Sequence, residues 1–207
     1  MASSSDPTRT TVPETPSMAV VYGSTSGNTE DAAKRLTERL ERRLDAKVPC
    51  LDVGVVEPAT LTSYDVLALG VPTWDIGLLQ ADWDDRLDEL TGQDFRGVRV
   101  ALFGAGDPVF YPDTFGDALG IVAERFEAAG ATLVAPWPHA GYDFEDSRAL
   151  RGDMFVGLLL NYDGEEERVD ELLDAWCDRL VSEVVGTQRS QNGGEPADMD
   201  TASLRGV

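Results

Sequence analysis

Residues 20–36 read VVYGSTSGNTEDAAKRL, and this stretch decides the architecture. An apolar run that begins at Met18 stops at Gly23. Six small residues follow, Ser24, Thr25, Ser26, Gly27, Asn28 and Thr29. Then comes a pattern with Ala32, Leu36, Leu40 and Leu44 spaced by four. A short, nearly unbroken apolar run suits a strand buried on both faces, and apolar residues spaced by four make an amphipathic helix. The pattern predicts a strand over 18–23, a helix over 29–44 and a small polar loop between them. Such a loop has two uses. Its N–H and hydroxyl groups, with the positive end of the helix dipole, can hold an anion. Alternatively, Asn28 or Thr29 can cap the helix, with Asp31 in its first turn. The loop is neither GxxxxGK[ST] nor GxGxxG. Lacking a Lys, it suits a terminal monophosphate better than a triphosphate with Mg2+.

Downstream, strands and helices keep alternating. AKVPCLDV (46–53) reads as an edge strand, because Pro49 has no N–H for a central ladder. DVLALG (65–70) and VRVALFG (98–104) are further strands. A helix follows the second, with Phe115, Leu119, Val122, Phe126 and Ala129 on one face. ATLVAPW (131–137) is a fifth strand, and DMFVGLLL (153–160) reads as its continuation after an interruption. A last helix over 165–185 aligns Val169, Leu172, Leu173, Trp176, Leu180 and Val184, which makes Trp176 a core residue. This order predicts an α/β fold: a doubly wound, five-stranded parallel sheet with helices on both faces. Ligands of such sheets sit beyond the carboxyl ends of the strands, where the winding reverses. That selects the loops 24–29, 71–80 and 105–112. The second carries Trp74 and the third Tyr111. Two aromatics across one crevice can sandwich a flat heterocycle, although each alone could pack on its own loop.

Composition narrows the function. The 207 residues suffice for one domain, with 38 Asp+Glu against 17 Lys+Arg and a net charge of −21; Lys34 and Lys47 are the only lysines. So acidic a chain is not built to bind nucleic acid or anionic lipid through bulk charge. Its acidity fits docking on basic proteins, or adaptation to high salt, which screens charges within about 3 Å at 1 M. Cys50 and Cys177 stand far apart with no CxxC and no His nearby, so neither a metal nor a disulfide is indicated. No apolar segment has the length of a membrane span, and residues 1–17 lack the apolar core of a signal peptide. The expected organisation is a disordered polar leader over 1–17, with Met18 as an alternative start, a folded domain over 18–185 and a disordered tail over 186–207.

The stretches GSTSGNTE, GVPTWDIGLLQADW, ALFGAGD and GYDFEDSRALRGDMFVGLLL together resemble those of flavodoxins, specifically the long-chain class, whose fifth strand is split by an insertion. The resemblance spans about residues 18–185, and the surface charge adds an expected salt-adapted source. It implies strand order 2-1-3-4-5 with FMN at the switch point. It implies that Ser24, Thr25, Ser26, Gly27, Asn28 and Thr29 hold the FMN phosphate and that Thr73 reaches toward the phosphate and ribityl side. Trp74 and Tyr111 would flank the isoalloxazine ring, and the backbone around Asp107 would meet its pyrimidine edge. Pro72, Asp75, Ile76, Gly77, Gly104, Ala105, Gly106 and Phe115 complete the implied cofactor-binding set. The Asp75 carbonyl is implied to turn toward the ring on reduction, with a positive φ near Asp75–Ile76. No catalytic residue and no metal ligand is implied. The chain departs from the family's usual pattern with Pro108 and Phe110 in the fourth-strand loop and with His139, which reads as a surface loop residue.

The implied function is a low-potential one-electron carrier, monomeric and cytoplasmic. It would shuttle electrons between redox proteins such as a ferredoxin/flavodoxin-type reductase and a downstream acceptor. The alternatives are an FMN-dependent NAD(P)H:quinone reductase on the same fold and an interaction module without FMN. From the charge alone, the melting temperature should rise with KCl concentration, since −21 of net charge repels itself once unscreened. A flat or falling melting curve from low salt to molar KCl would return the acidity to partner docking alone.

Overall fold

The computed structural model describes residues 15–162 and 166–191. In chain order the elements are β1 (Met18–Tyr22), α1 (Asn28–Leu44), β2 (Cys50–Asp52), α2 (Pro58–Leu61), β3 (Val66–Gly70), β4 (Thr73–Trp74), β5 (Leu78–Leu79), α3 (Ala81–Thr91) and β6 (Arg99–Ala105). A short 3-10 turn, Pro112–Thr114, precedes α4 (Asp117–Ala128). Then follow β7 (Thr132–Val134), β8 (Trp137–Pro138), β9 (Leu150–Arg151), β10 (Met154–Phe155), β11 (Gly157–Leu160) and α5 (Glu166–Gln191).

The main sheet is parallel and runs β2-β1-β3-β6, with β1 between β2 and β3. Past β6 the expected fifth strand is two strands. β7 pairs with Arg99–Ala101, and β11 pairs with Leu102–Ala105. The sheet therefore has six strands in five positions rather than five strands. Its last position is interrupted because residues between β7 and β11 build a separate antiparallel sheet, β8-β10-β9. Met154–Phe155, expected in the continued fifth strand, belongs to that small sheet. The sequence pattern also did not resolve α2, α3 or the β4-β5 hairpin. The last helix continues to Gln191, so the first residues assigned to the tail are helical. Residues 1–14 and 192–207, which hold most of the expected leader and tail, lie outside the described residues.

Period-2 alternation splits the buried strands between two cores. Leu67 and Leu69 of β3 and Val100 and Leu102 of β6 face Trp83, Leu87, Leu90, Leu119, Val122 and Phe126 of α3 and α4. Val66, Ala68, Ala101 and Phe103 face Leu36, Leu40, Leu173, Trp176 and Leu180 of α1 and α5. Trp176 is fully buried, and its Nε1 donates to the Ala135 carbonyl at 2.8 Å. Among the described residues no helix is long and apolar enough to cross a membrane.

A charge ladder joins α1 to α5. Arg35, Arg39 and Arg43 recur at four-residue spacing on one helix, and Asp170, Asp174 and Asp178 do so on the other. Arg39 reaches Asp170 at 2.7 Å and Asp174 at 3.2 Å, and Arg43 reaches Asp174 at 3.0 Å and Asp178 at 2.5 Å. Arg39 is only 9% exposed, whereas the side chains of Asp170 and Asp174 are about half exposed. Hydrogen bonds from Arg43 and then Arg39 hold the Asp174 carboxyl below the usual carboxylate range. Because the folded value is depressed, this stabilisation is present at neutral pH and lost as pH falls below about 4. Arg39→Met keeps the apolar stem and removes the charge. It should destabilise the fold by about 1 kcal/mol at pH 7, a figure reduced for the solvent exposure of the carboxylates. The difference from wild type should shrink toward pH 3 in thermal melts. An equal difference at both pH values would mean that the ladder contributes packing and no charge.

Candidate functional site

β1, β3, β6 and β11 all end at one edge of the sheet, and the loops that leave them enclose a cleft of about 250 Å3. Its walls are Ser26, Asn28 and Thr29 from the first loop, Pro72, Thr73, Trp74 and Asp75 from the second, Ala105, Gly106, Asp107 and Tyr111 from the third, and Tyr162 after β11. A larger cleft of about 390 Å3 lies on the far side of the third loop, between it and the 141–145 segment. It contains none of the expected site residues.

The first loop leaves donors without acceptors. The N-cap of α1 is Gly27, at φ 96°, a left-handed conformation that glycine adopts without steric cost. No side chain caps the helix, so neither Asn28 nor Thr29 plays the capping role that the sequence allowed. The Asp31 N–H is the first to find a helical acceptor, the Gly27 carbonyl at 2.9 Å. The N–H groups of Asn28, Thr29 and Glu30 precede that donor and belong to the open end of the helix. Beside them Thr29 is 1% exposed, and its Oγ1 is buried with no hydrogen-bond partner among the described residues. An orphaned buried hydroxyl costs about 1–3 kcal/mol and calls for a partner from outside the chain. Among the described residues no Lys or Arg lines the cleft. Neutral N–H and O–H donors gathered at a helix N-terminus fit a phosphate monoester.

The second and third loops are held from behind. The buried Gln80 caps α3 by accepting from Trp83 N at 3.3 Å, and its Nε2 donates to Thr25 Oγ1 at 3.3 Å. Thr73 Oγ1 accepts from Ala118 N at 3.3 Å, which leaves the Thr73 hydroxyl proton free to point elsewhere. In the third loop Asp107 Oδ1 accepts from Val109 N at 2.8 Å and Phe110 N at 3.0 Å, closing a tight turn. That turn puts Phe110 in solvent, 78% exposed, and leaves Tyr111 on the cleft wall opposite Trp74's loop. Trp74 and Tyr111 both line the cleft, and no ring contact joins them among the described residues. Asp75, at the turn of the β4-β5 hairpin, has φ 43°, in the left-handed region.

Several expected site residues stand elsewhere. Ser24 lies off the cleft wall, and its Oγ accepts from Gly27 N at 3.1 Å, bracing the loop from within. Thr25 and Gly27 shape the same loop, and Ile76 and Gly77 lie in the hairpin turn, with Ile76 exposed to solvent. Phe115 does not line the cleft. Its side chain is 1% exposed and packs in an aromatic cluster with Tyr142, Phe144 and Phe155, because the short 3-10 turn before it carries the chain back to the core. Gly104, next to the wall residue Ala105, does not line the cleft either. A Cβ there would stand 1.9 Å from the Val71 carbonyl oxygen, so the glycine permits close approach of β6 to the segment after β3. Sequence reasoning missed Gln80 and Tyr162. Gln80 sits just before the helix α3, and an N-cap search there would have found it. Tyr162 follows the last strand of the sheet, whose carboxyl end the switch-point rule also covers.

A doubly wound parallel sheet with unpaired donors at the first loop and two aromatics on the wall of the same cleft fits a nucleotide-type cofactor protein. Comparison with known proteins narrows the class. The flavodoxin family model matches residues 20–176. Flavodoxin from Nostoc sp. is 39% identical over 166 residues, covering 80% of this chain and 96% of the relative. Flavodoxin 1 from Escherichia coli is 40% identical over 166 residues, covering 80% and 93%. In structure, Fusobacterium nucleatum flavodoxin bound to flavin mononucleotide superposes with a TM-score of 0.75 at 20% identity, covering 81% of this chain and 98% of that one. The chain belongs to the flavodoxin family.

Gly104→Ala separates a steric role from a ligand contact. The added methyl should destabilise the protein by about 1–3 kcal/mol or prevent folding, through overlap with backbone that cannot move aside. A denaturant titration showing unchanged stability, with binding alone weakened, would put Gly104 back among ligand contacts.

Proposed function

We propose that this protein binds FMN non-covalently and carries electrons one at a time, at low potential, between redox proteins. The single observation behind this reading is the buried, unpartnered Thr29 Oγ1 beside the uncapped first turn of α1. That donor set suits the phosphate of FMN, and Trp74 and Tyr111 suit its ring. Bound FMN would supply the redox chemistry, and the chain sets its position and potential. Asn28, Thr29 and the first-turn N–H groups would hold the phosphate, with Ser26 at the loop's exposed rim. Thr73 would reach along the ribityl chain, while Pro72, Ala105 and Gly106 bound the cleft beside it.

Asp75 and Asp107 put two acidic residues on the cleft wall, and among the described residues no cation lines it. Negative charge near the ring disfavours adding an electron, which lowers the potential. The acidic surface would steer the protein toward basic partners, of which a ferredoxin/flavodoxin-type reductase and a downstream acceptor are the expected kinds. The expected state is a cytoplasmic monomer. His139 stacks edge-on against Phe144, with ring centroids 6.2 Å apart, in the segment beyond the cleft, and has no part in this reading.

The test is a reductive titration of the purified, FMN-loaded protein. The reading predicts flavin absorbance, two separable one-electron steps and no oxidation of NAD(P)H without a partner. Asp75→Asn should raise the first potential by roughly 20–45 mV at low salt, the equivalent of about 0.5–1 kcal/mol, and the shift should shrink in 1 M KCl. Steady NAD(P)H turnover by the isolated protein would replace the carrier with a reductase. An Asp75→Asn protein with unchanged potential would remove this carboxylate from the tuning.

A further inference from the structure

Among the described residues, Tyr162 is the one cleft residue supplied from beyond β11. The Leu160 carbonyl accepts from Gly106 N at 3.0 Å, which ties this end of the chain to the third loop. The Tyr162 ring then packs against the core between α1 and α5. Its hydroxyl comes to the first turn of α1, where it donates to Asp31 Oδ2 at 3.3 Å. That is long for an O–H···O bond, whose usual separation is about 2.7–2.8 Å. Asp31 does not depend on it, since Arg35 Nε stands 2.8 Å from the same Oδ2. The Tyr162 hydroxyl can therefore leave Asp31 without stranding a carboxylate.

We propose that Tyr162 is a phosphate-binding residue of this cleft: its hydroxyl turns from Asp31 to donate to the anion held at the first turn of α1. The proposal rests on the FMN reading above and adds to it a fourth wall. The geometry supplies the reason. Asp31 is a carboxylate in the first turn of the helix that would receive a phosphate, and two anions that close repel each other. The Arg35 guanidinium pairs with Asp31 at 2.8 Å, and Tyr162, which lines the cleft where Asp31 does not, brings a neutral donor to the same place. Burial, and then the nearby Asp31 charge, push the Tyr162 phenol far above its ordinary range, so it keeps its proton at any working pH. A donor held in its neutral form is suited to a dianionic phosphate, and charge-assisted bonds of this kind are stronger than neutral ones.

Fluorescence titration of the apoprotein with FMN and with riboflavin tests this in wild type, Tyr162→Phe and Asp31→Asn. Tyr162→Phe keeps the ring and the cleft wall, so it should weaken FMN about tenfold while leaving riboflavin within about twofold, as loss of one hydrogen bond to a charged group predicts. Asp31→Asn removes the like charge and leaves only a weaker, neutral acceptor in its place, so FMN affinity should hold or rise. If Tyr162→Phe leaves the ratio of FMN to riboflavin affinity unchanged, the hydroxyl does not meet the phosphate and the proposal is overturned. It is overturned as well if Asp31→Asn weakens FMN as much as Tyr162→Phe does, because Tyr162 would then act only by bracing the helix. Wild-type protein that binds FMN and riboflavin equally would overturn the phosphate reading itself, and this proposal with it.

Discussion

At the amino end of α1 the chain sets out hydrogen-bond donors and provides no acceptor for them. Backbone N–H groups in the first helical turn have no carbonyl to meet, Gly27 gives no side-chain cap, and Thr29 Oγ1 is buried without a partner among the described residues. The surrounding structure holds this arrangement in place. β1 ends where Gly23 N bonds to the Gly70 carbonyl at 3.1 Å, which fixes the start of the loop against β3. Ser24 accepts from Gly27 N, and Gln80 reaches across from the second loop to Thr25. The cost of orphaned donors is tolerable only because a rigid sheet edge enforces it, and a bound anion would recover it.

Much of this was legible in the sequence, for definite reasons. The apolar run of β1 and the four-residue spacing of α1 follow from burial, which composition reports directly. The switch-point rule then turned an order of elements into three loops, and all three meet at the cleft. What stayed hidden depended on distances. Phe115 and Gly104 sit near the right loops in sequence, but one turns into an aromatic cluster and the other yields to a carbonyl. Gln80 acts through a bond to Thr25, 55 positions away, and Tyr162 through one to Asp31, 131 positions away. Neither bond carries a local signature. The β4-β5 hairpin escaped because its strands are two residues each, too short for a period to show.

Charge works differently on the surface and in the cleft. Outside, an excess of carboxylates is partly organised, as in the ladder of Arg39 and Arg43 with Asp170, Asp174 and Asp178. Inside, the polar groups near the first loop are neutral donors, and the carboxylates of Asp75 and Asp107 stand at the second and third loops. An anion would thus be received at one end of the cleft by dipoles rather than by lysine. At the other end, a ring would sit among negative charges. The two ends ask for opposite things from one ligand, a negative tail and a ring that resists further negative charge.

The central claim is that the open donors of the first loop exist for a phosphate, and the most direct measurement compares two ligands that differ only there. Apoprotein titrated with FMN and with riboflavin should bind FMN far more tightly, since several charge-assisted bonds of about 1.5–3 kcal/mol each are at stake. Thr29→Val, which replaces the orphaned hydroxyl by a methyl of similar shape, should narrow that gap by weakening FMN alone. Equal affinities for the two flavins, or a Thr29→Val protein with the wild-type gap, would contradict the account.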